Sequence, residues 1–340
     1  MKQKYIFTVV LLAVLTAAGF GITALCGSRR DDSHDKNSGN AAISGRPDGD
    51  GTFRVVTSFY PVYIAAKNVI GDVESVELDN LTEPQTGCLH DYQLTPQDMI
   101  SLSDADLFLV NGGGIESFLS DVFTSYPDLP VAEASAGIDY LETVDGQVYD
   151  DHDHATHSHT HDHGDVNAHV WMDVGRYEIY VENIARALAE HDPAHRETYA
   201  SNAAVYEERL EALHQELETL KGTAVGEKII LFHDAFAYFA DMTGMEISYV
   251  IDMDENTSLS AREVSEIVEL VKQEDIDLLF TEEQYGTKLA DAVSRETDAR
   301  VYVLDSLVSG SYDADSYITG MEKNLETLQQ AFDDGEEESR

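Results

Sequence analysis

Positive charge is scarce in this 340-residue chain. Its 21 Lys and Arg stand against 65 Asp and Glu, giving a formal net charge of −44 and a pI of about 4.3. A phosphate backbone is held by a Lys/Arg surface, so a nucleic-acid partner is excluded. Up to Thr52 acidic and basic residues nearly cancel, and the negative charge therefore lies on residues 53–340. With only two cysteines, Cys26 and Cys88, a disulfide framework is excluded. Seven prolines against 43% hydrophobic residues, with 17 Tyr and 12 Phe, exclude general disorder. The chain is long enough for two globular domains of about 150 residues each. It also lacks HExxH and GxSxG, two signatures of metal-dependent and serine hydrolases.

What is present begins with an export signal. Lys2 and Lys4 precede an apolar run over 5–25 that ends at Cys26, after which Gly27-Ser28-Arg29-Arg30-Asp31-Asp32 is polar. Residues 1–26 read as a signal or lipoprotein segment. An uncleaved helix is the alternative, because about 20 apolar residues also span a bilayer. The position of Cys26 resembles the lipidated cysteine of bacterial lipoproteins, although Leu25 is bulkier than the small residue that motif wants. Either reading places the rest outside the membrane, anchored to it. Residues 27–52, rich in Asp, Ser, Gly and Asn without an apolar period, read as a flexible tether.

Beyond the tether, β-rich runs at 53–57, 73–78, 107–110, 228–232, 247–250, 278–281 and 301–304 alternate with helical patterns. Repeated βα units imply parallel sheets covered by helices. Ser260-Ala261-Arg262-Glu263 reads as a capping box ahead of Val264, Ile267, Val268 and Val271 at helical spacing. The stretch from 174 to about 221 breaks the alternation with two long helical segments divided at His191-Asp192-Pro193. The expected fold is α/β, with two lobes of mainly parallel sheet joined by a long helix and a metal site in the cleft between them. The expected boundaries are an N-terminal lobe over 53–173, which carries a His-rich loop at 150–164, a linking helix over 174–192, a C-terminal lobe over 193–332 and an acidic tail over 333–340.

The chemistry is concentrated in 13 histidines. Six of them (His152, His154, His157, His159, His161 and His163) interleave with Asp151, Asp153 and Asp162 in the stretch DHDHATHSHTHDH. Alternating imidazoles and carboxylates suit Zn, Ni or Cu better than Mg or Ca, so this is an auxiliary metal loop, of modest affinity because a flexible segment loses entropy on wrapping an ion. The bland alternative is a solvated polar loop. Three more histidines have distinctive settings: His90 in GCLHDYQLTPQD, His169 in NAHVWMD and His233 in LFHDAFAYF. His233 emerges at the end of the run 228–232, where open α/β sheets place ligand sites. Asp305 follows Val301-Tyr302-Val303-Leu304 in the same manner.

These segments together resemble the metal-binding substrate-binding proteins of ABC importers for zinc and manganese, over about 53–328. The resemblance implies His90, His169, His233 and Asp305 as the metal ligands, one from each of TGCLHDYQLTPQD, NAHVWMD, FHDAFAYF and VLDSLVSG. It also implies a His-rich insert before the second ligand segment in zinc members, which is where 152–163 falls. Manganese members carry a carboxylate at the position of His233. Three imidazoles and one carboxylate suit tetrahedral zinc at about 2.0–2.2 Å, so Zn2+ is favoured over Mn2+, with Cu and Ni not distinguished by the ligand set. The implied function is extracytoplasmic zinc capture by a non-enzymatic, monomeric binding protein that delivers the ion to a membrane ABC permease. Because zinc needs neutral imidazoles, capture is expected to weaken below about pH 6.5.

Neighbouring residues admit two readings each. Asp234, and likewise Asp91 and Asp173, either orients a ligand or caps a helix. Glu282 and Glu283 read first as a solvated acidic turn and second as cleft-facing groups. Cys88 reads as a small buried residue rather than a soft-metal ligand, and Trp171 and Tyr92 as packing that excludes water from the site. The rival functions are a surface adhesin or metal buffer, and a zinc hydrolase with Glu282 or Glu283 as general base.

Overall fold

The computed structural model describes residues 51–82, 92–144, 166–251, 260–282 and 286–338, all within one compact unit, Gly49–Arg340. Cys26, Cys88, His90, Asp91, His152 to His163 and Glu283 lie outside the described residues, as does the apolar run 5–25. Among the described residues no helix is long and apolar enough to cross a membrane.

The first half is a βα series: β1 (Phe53–Thr57), α1 (Tyr60–Ile70), β2 (Val76–Asn80), α2 (Pro96–Asp104), β3 (Leu107–Val110), α3 (Leu119–Ser125) and β4 (Val131–Glu133). Its sheet is parallel throughout, in the order β2-β1-β3-β4. All four residues of β3 are buried, as a strand covered on both faces requires. A short antiparallel pair, β5 (Leu141–Glu142) and β6 (Val166–Asn167), comes after β4. Next are the two long helices, α4 (Val174–His191) and α5 (Arg196–Leu217). They are separated as expected, because Pro193 has no N–H to continue α4 and opens a single 3-10 turn instead.

The second half repeats the plan with β7 (Lys228–Leu231), α6 (Ala237–Thr243), β8 (Glu246–Val250), α7 (Ala261–Glu274), β9 (Leu278–Glu282), α8 (Thr287–Glu296), β10 (Arg300–Leu304) and α9 (Ser316–Glu338). Its sheet order, β10-β9-β7-β8, is the same topology as the first sheet, and again parallel. In each sheet the strand order reverses between the first and third strands of the series, β1/β3 and β7/β9, which is where open α/β sheets open a crevice at their carboxyl ends. α7 starts on the expected capping box, with Ser260 accepting from the Glu263 N–H and Glu263 accepting from the Ser260 N–H.

Period-2 alternation divides the second sheet between two apolar clusters. Ile229, Leu231, Leu278 and Phe280 join the main core with α4, α5 and α9, while Ile230, Phe232 and Leu279 pack with Ile267, Val271, Ala290 and Val293 of α7 and α8. The apolar stripes of the long helices are buried, Tyr177, Tyr180, Val181, Ile184 and Leu188 on α4, and Tyr199, Tyr206, Leu210, Leu213 and Leu217 on α5. α5 packs along both α4 and α1 and reaches α9. One strand differs from expectation by more than a residue: β2 begins at Val76 rather than 73, because the Val76 N–H donates to the Val73 carbonyl at 3.1 Å and closes a turn first. β4, β5 and β6 are additions to the expected strands, being too short at two or three residues to show a period.

The turn after β3 carries a buried carboxylate. Glu116 accepts from Ser58 Oγ at 2.8 Å and from the Asn111 and Gly112 N–H groups at 2.6 and 3.1 Å. Gly112 has a φ of +92° and Gly113 of +66°, and a Cβ on Gly113 would meet the Ala168 Cβ at 3.1 Å, so glycine lets this turn approach the segment before His169. Burial pushes the Glu116 carboxyl up to about 7, against the pull of its three donors. The folded chain thus holds this proton over a range where the unfolded chain, with a pKa of about 4.5, has lost it. The contribution is fully present below pH 4.5 and declines as pH rises to about 7, by on the order of 3 kcal/mol. Urea melts at pH 4.5 to 8 are expected to show this component in the native chain and to lack it in Glu116→Gln; equal slopes for the two would refute it.

Candidate metal centre

His169 and His233 meet although they come from different halves of the fold. His169 lies just past β6, in the Asn167-Ala168-His169 segment ahead of a buried 3-10 turn, Val170–Met172. The Asn111 side chain donates to the Ala168 carbonyl at 3.1 Å, tying this segment to the carboxyl end of β3. His233 lies just past β7 and has extended backbone before the 3-10 turn Asp234–Phe236. The two imidazoles lie 4.8 Å apart, centroid to centroid, at 84°, and are 1% and 5% exposed.

Three further side chains organise the pair. His169 Nδ1 lies 2.8 Å from Asn167 Oδ1, which also accepts the His169 backbone N–H at 3.1 Å. Asn167 Nδ2 donates to the Asp234 carbonyl at 2.8 Å, linking the two histidine segments directly. Asp234 Oδ1 sits 3.4 Å from His169 Nδ1 and 3.7 Å from His233 Nε2, so one carboxylate oxygen stands between both rings. His169, His233 and Asp234 each offer a ligand atom, all within 4.8 Å of one another. The cap position of the turn Asp234–Phe236 is His233, which makes no side-chain capping bond, whereas Asp173 caps α4, accepting from the Arg176 N–H at 2.8 Å. Asp173 is thus a helix cap.

The third is Glu282, which the sequence suggests as a solvated turn but which is buried at 4% exposure. It ends β9 beside β7, and its Oε2 lies 3.3 Å from His233 Nδ1. Burial pushes its carboxyl up, but the charge and hydrogen bond of His233, a hydrogen bond from Ser306 and the charge of His169 outweigh this and hold it below the ordinary value. A carboxylate accepting from Nδ1 selects the tautomer whose lone pair is on Nε2, which leaves that nitrogen available as a donor atom. The correction has a physical origin: a Glu after a strand looks solvated in sequence, and only the neighbouring strand supplies the imidazole that makes burial tolerable.

Asp305 is placed at the carboxyl end of β10, one residue past Leu304, the register partner of Glu282. It is exposed, its Oδ1 accepts the Leu307 N–H at 2.8 Å, and it lines a cavity of about 560 Å³ with Tyr60, Asp313, Thr319 and Lys323. It stands outside the His169–His233–Asp234 group. Trp171 is fully buried, with its ring 5.0 Å from that of His169 and its Nε1 donating to the Ser306 carbonyl at 2.9 Å. Tyr92 packs edge-on to Phe118 and donates to Asp98.

The family model for the periplasmic zinc-uptake complex component A, ZnuA, matches residues 55–331. This chain belongs to the ZnuA family. Among its relatives, the iron-binding protein YfeA of Yersinia pestis is 32% identical over 82% of this chain and 86% of its own length. The zinc-binding lipoprotein AdcA of Streptococcus pneumoniae is 31% identical over 86% of this chain, which spans 58% of AdcA. The crystal structure of Zn(II)-bound AdcA superposes with a TM-score of 0.68 at 27% identity, over 83% of this chain and 58% of that one. Relatives of this chain are thus named for different metals.

A variant separates the roles of the carboxylates. Glu282→Gln keeps the shape and removes the charge, and is expected to weaken zinc binding by about 10- to 100-fold, the usual effect of losing a partner that orients a ligand. Competition against a fluorescent chelator measures it, and affinity within twofold of native would show that Glu282 does not orient His233.

Proposed function

We propose that this chain captures Zn2+ outside the membrane and delivers it to an ABC permease. The observation that carries the reading is the convergence of two buried imidazoles, His169 from the first half and His233 from the second, onto one carboxylate. Buried imidazoles without a core role are costly unless they hold something, and imidazole nitrogen with carboxylate oxygen is a zinc-type donor set. The ZnuA family and the relative named a zinc-binding lipoprotein support the choice.

In this reading His90 and Asp305 complete the shell. Asp305 lies next in the chain to Ser306, which hydrogen-bonds Glu282, so its carboxylate turns toward His233 by side-chain rotation within one lobe, 193–332, while His90 and His169 belong to the other, 53–173. An ion bound to both lobes stabilises the closed arrangement by its differential affinity for it, and the closed form is what a permease distinguishes. Release then requires separating the lobes. The chain acts as a binding protein rather than an enzyme, held to the membrane through Cys26 or the apolar run before it, and 152–163 collects ions for the buried site.

The test is growth of cells at scarce zinc with the native chain, His233→Ala, or a deletion of 151–163. Growth lost in His233→Ala and restored by excess zinc supports capture for transport. Growth unaffected by His233→Ala but reduced by the deletion overturns it in favour of a surface metal buffer.

A further inference from the structure

Away from the His169–His233 pair, α4 and α5 bring a second set of metal-ligating atoms together. Glu178 of α4 and Glu211 and His214 of α5 each offer one donor, all within 4.8 Å of one another. Glu211 and His214 are three residues apart on α5 and so share a face. The His214 imidazole occupies a notch that only glycine provides: a Cβ on Gly175 of α4 would meet its Cε1 at 2.7 Å. His214 Nδ1 stands 3.7 Å from Glu178 Oε1, and Nε2 stands 3.8 Å from Glu218 Oε1.

Those separations are too long for hydrogen bonds. The first suits donors that share an ion, since two ligands each about 2.1 Å from a tetrahedral zinc lie about 3.4 Å apart; Glu218 faces the other ring nitrogen and stands outside the group. The independent observation is Glu178 Oε1 itself: although the side chain is only partly buried, this atom is out of solvent and, among the described residues, makes no hydrogen bond, its facing group being the His214 Nδ1 at 3.7 Å. Such an oxygen ordinarily costs about 1–3 kcal/mol and is rarely left unmatched. Its surroundings add negative charge, for burial pushes the Glu178 carboxyl up, His214 draws it down, and Glu211 and Glu207 push it up again.

We propose that Glu178, Glu211 and His214 form a second metal site, which takes a divalent ion of the zinc class and ties α4 to α5. Two carboxylate oxygens and one imidazole nitrogen give a borderline donor set with room for water, which suits Zn, Mn, Ni or Cu over Ca or Mg. Glu211 is exposed and already turned to accept from Gln215 Nε2 at 2.6 Å, so it moves to close on an ion at little cost. The site depends on no residue of the His169–His233 group.

The test uses the full chain with ZnCl2 as the probe. Anomalous diffraction at the zinc edge is expected to show a peak between Glu178, Glu211 and His214 in the native chain and in His233→Ala, and none in His214→Gln. Native mass spectrometry is expected to count one zinc fewer in His214→Gln and in the exposed, fold-neutral Glu211→Gln than in the native chain. The proposal is overturned by absence of the peak at zinc concentrations that fill the His169–His233 site, which would leave water as the partner of Glu178 Oε1. A peak that persists in His214→Gln, or zinc counts unchanged in both variants, overturns it equally.

Discussion

His233→Ala is expected to remove the tight zinc of this chain, with affinity falling more than about 100-fold, since even partners that only orient a ligand are worth 10- to 100-fold. The ring is 5% exposed, 4.8 Å from His169 and 3.7 Å from Asp234, so no solvent-facing group can replace its nitrogen without rebuilding the end of β7. A second effect accompanies the first. Glu282 loses the imidazole that holds it ionised, and an unpaired buried carboxylate is strongly destabilising, typically by about 3–5 kcal/mol when a buried pair is broken. Because Glu282 titrates below the usual carboxylate value in the folded chain, its stabilising contribution is present above about pH 4.5 and is lost as pH falls through the lowered value. His233→Ala is expected to lose that acid-side dependence as well. His233→Gln, which retains a donor toward Glu282, separates folding from binding: it should melt near the native chain yet still lack tight zinc. Chelator competition and urea melts at pH 3.5 to 7 measure both effects. Native affinity in a folded His233→Gln chain would sink the assignment.

The largest effect on stability is expected at Trp171. Its ring is fully buried between Phe59, 5.1 Å away edge to face, and His169, and its N–H crosses to the Ser306 carbonyl. Trp171→Ala removes the most apolar area of any single truncation at the site, and large aromatic truncations cost about 3–5 kcal/mol. The Ser306 carbonyl also loses its donor, adding about 1–3 kcal/mol if water does not enter. Trp171→Phe isolates that second part, because the ring is largely kept while the N–H is lost. Zinc affinity should fall in both variants, more in alanine, since His169 loses the surface that fixes its ring. A urea midpoint in Trp171→Ala corresponding to a loss below about 1 kcal/mol would show that the site does not depend on this packing.

Much of the centre is legible from local chemistry. His233 can be placed because β7 reads as a short buried run and the next residue must emerge at its carboxyl end; the same reasoning places Asp305 after β10. Trp171 reads as packing at the site and is buried against His169. The capping box of α7 and the division of the long helices at Pro193 are legible because both depend on residues within four positions of each other. Glu282 is misread from sequence, and Asp234 stays ambiguous, because their roles depend on rings 49 and 65 residues distant, which no local pattern reports. Glu178 and His214 carry no sequence signal at all: on single helices they are ordinary solvated positions, and only the packing of α4 on α5 over Gly175 brings them together.

By itself, then, the sequence determined the βα alternation, the two sheets, the capping box of α7 and the place of His233 at the end of its strand. These arise from side-chain periodicity and from backbone groups that must be satisfied within a few residues. Only the tertiary structure decided which carboxylates are buried beside imidazoles and which stay in water. That choice turns on desolvation balanced against a partner's charge, and the partner comes from another strand or helix.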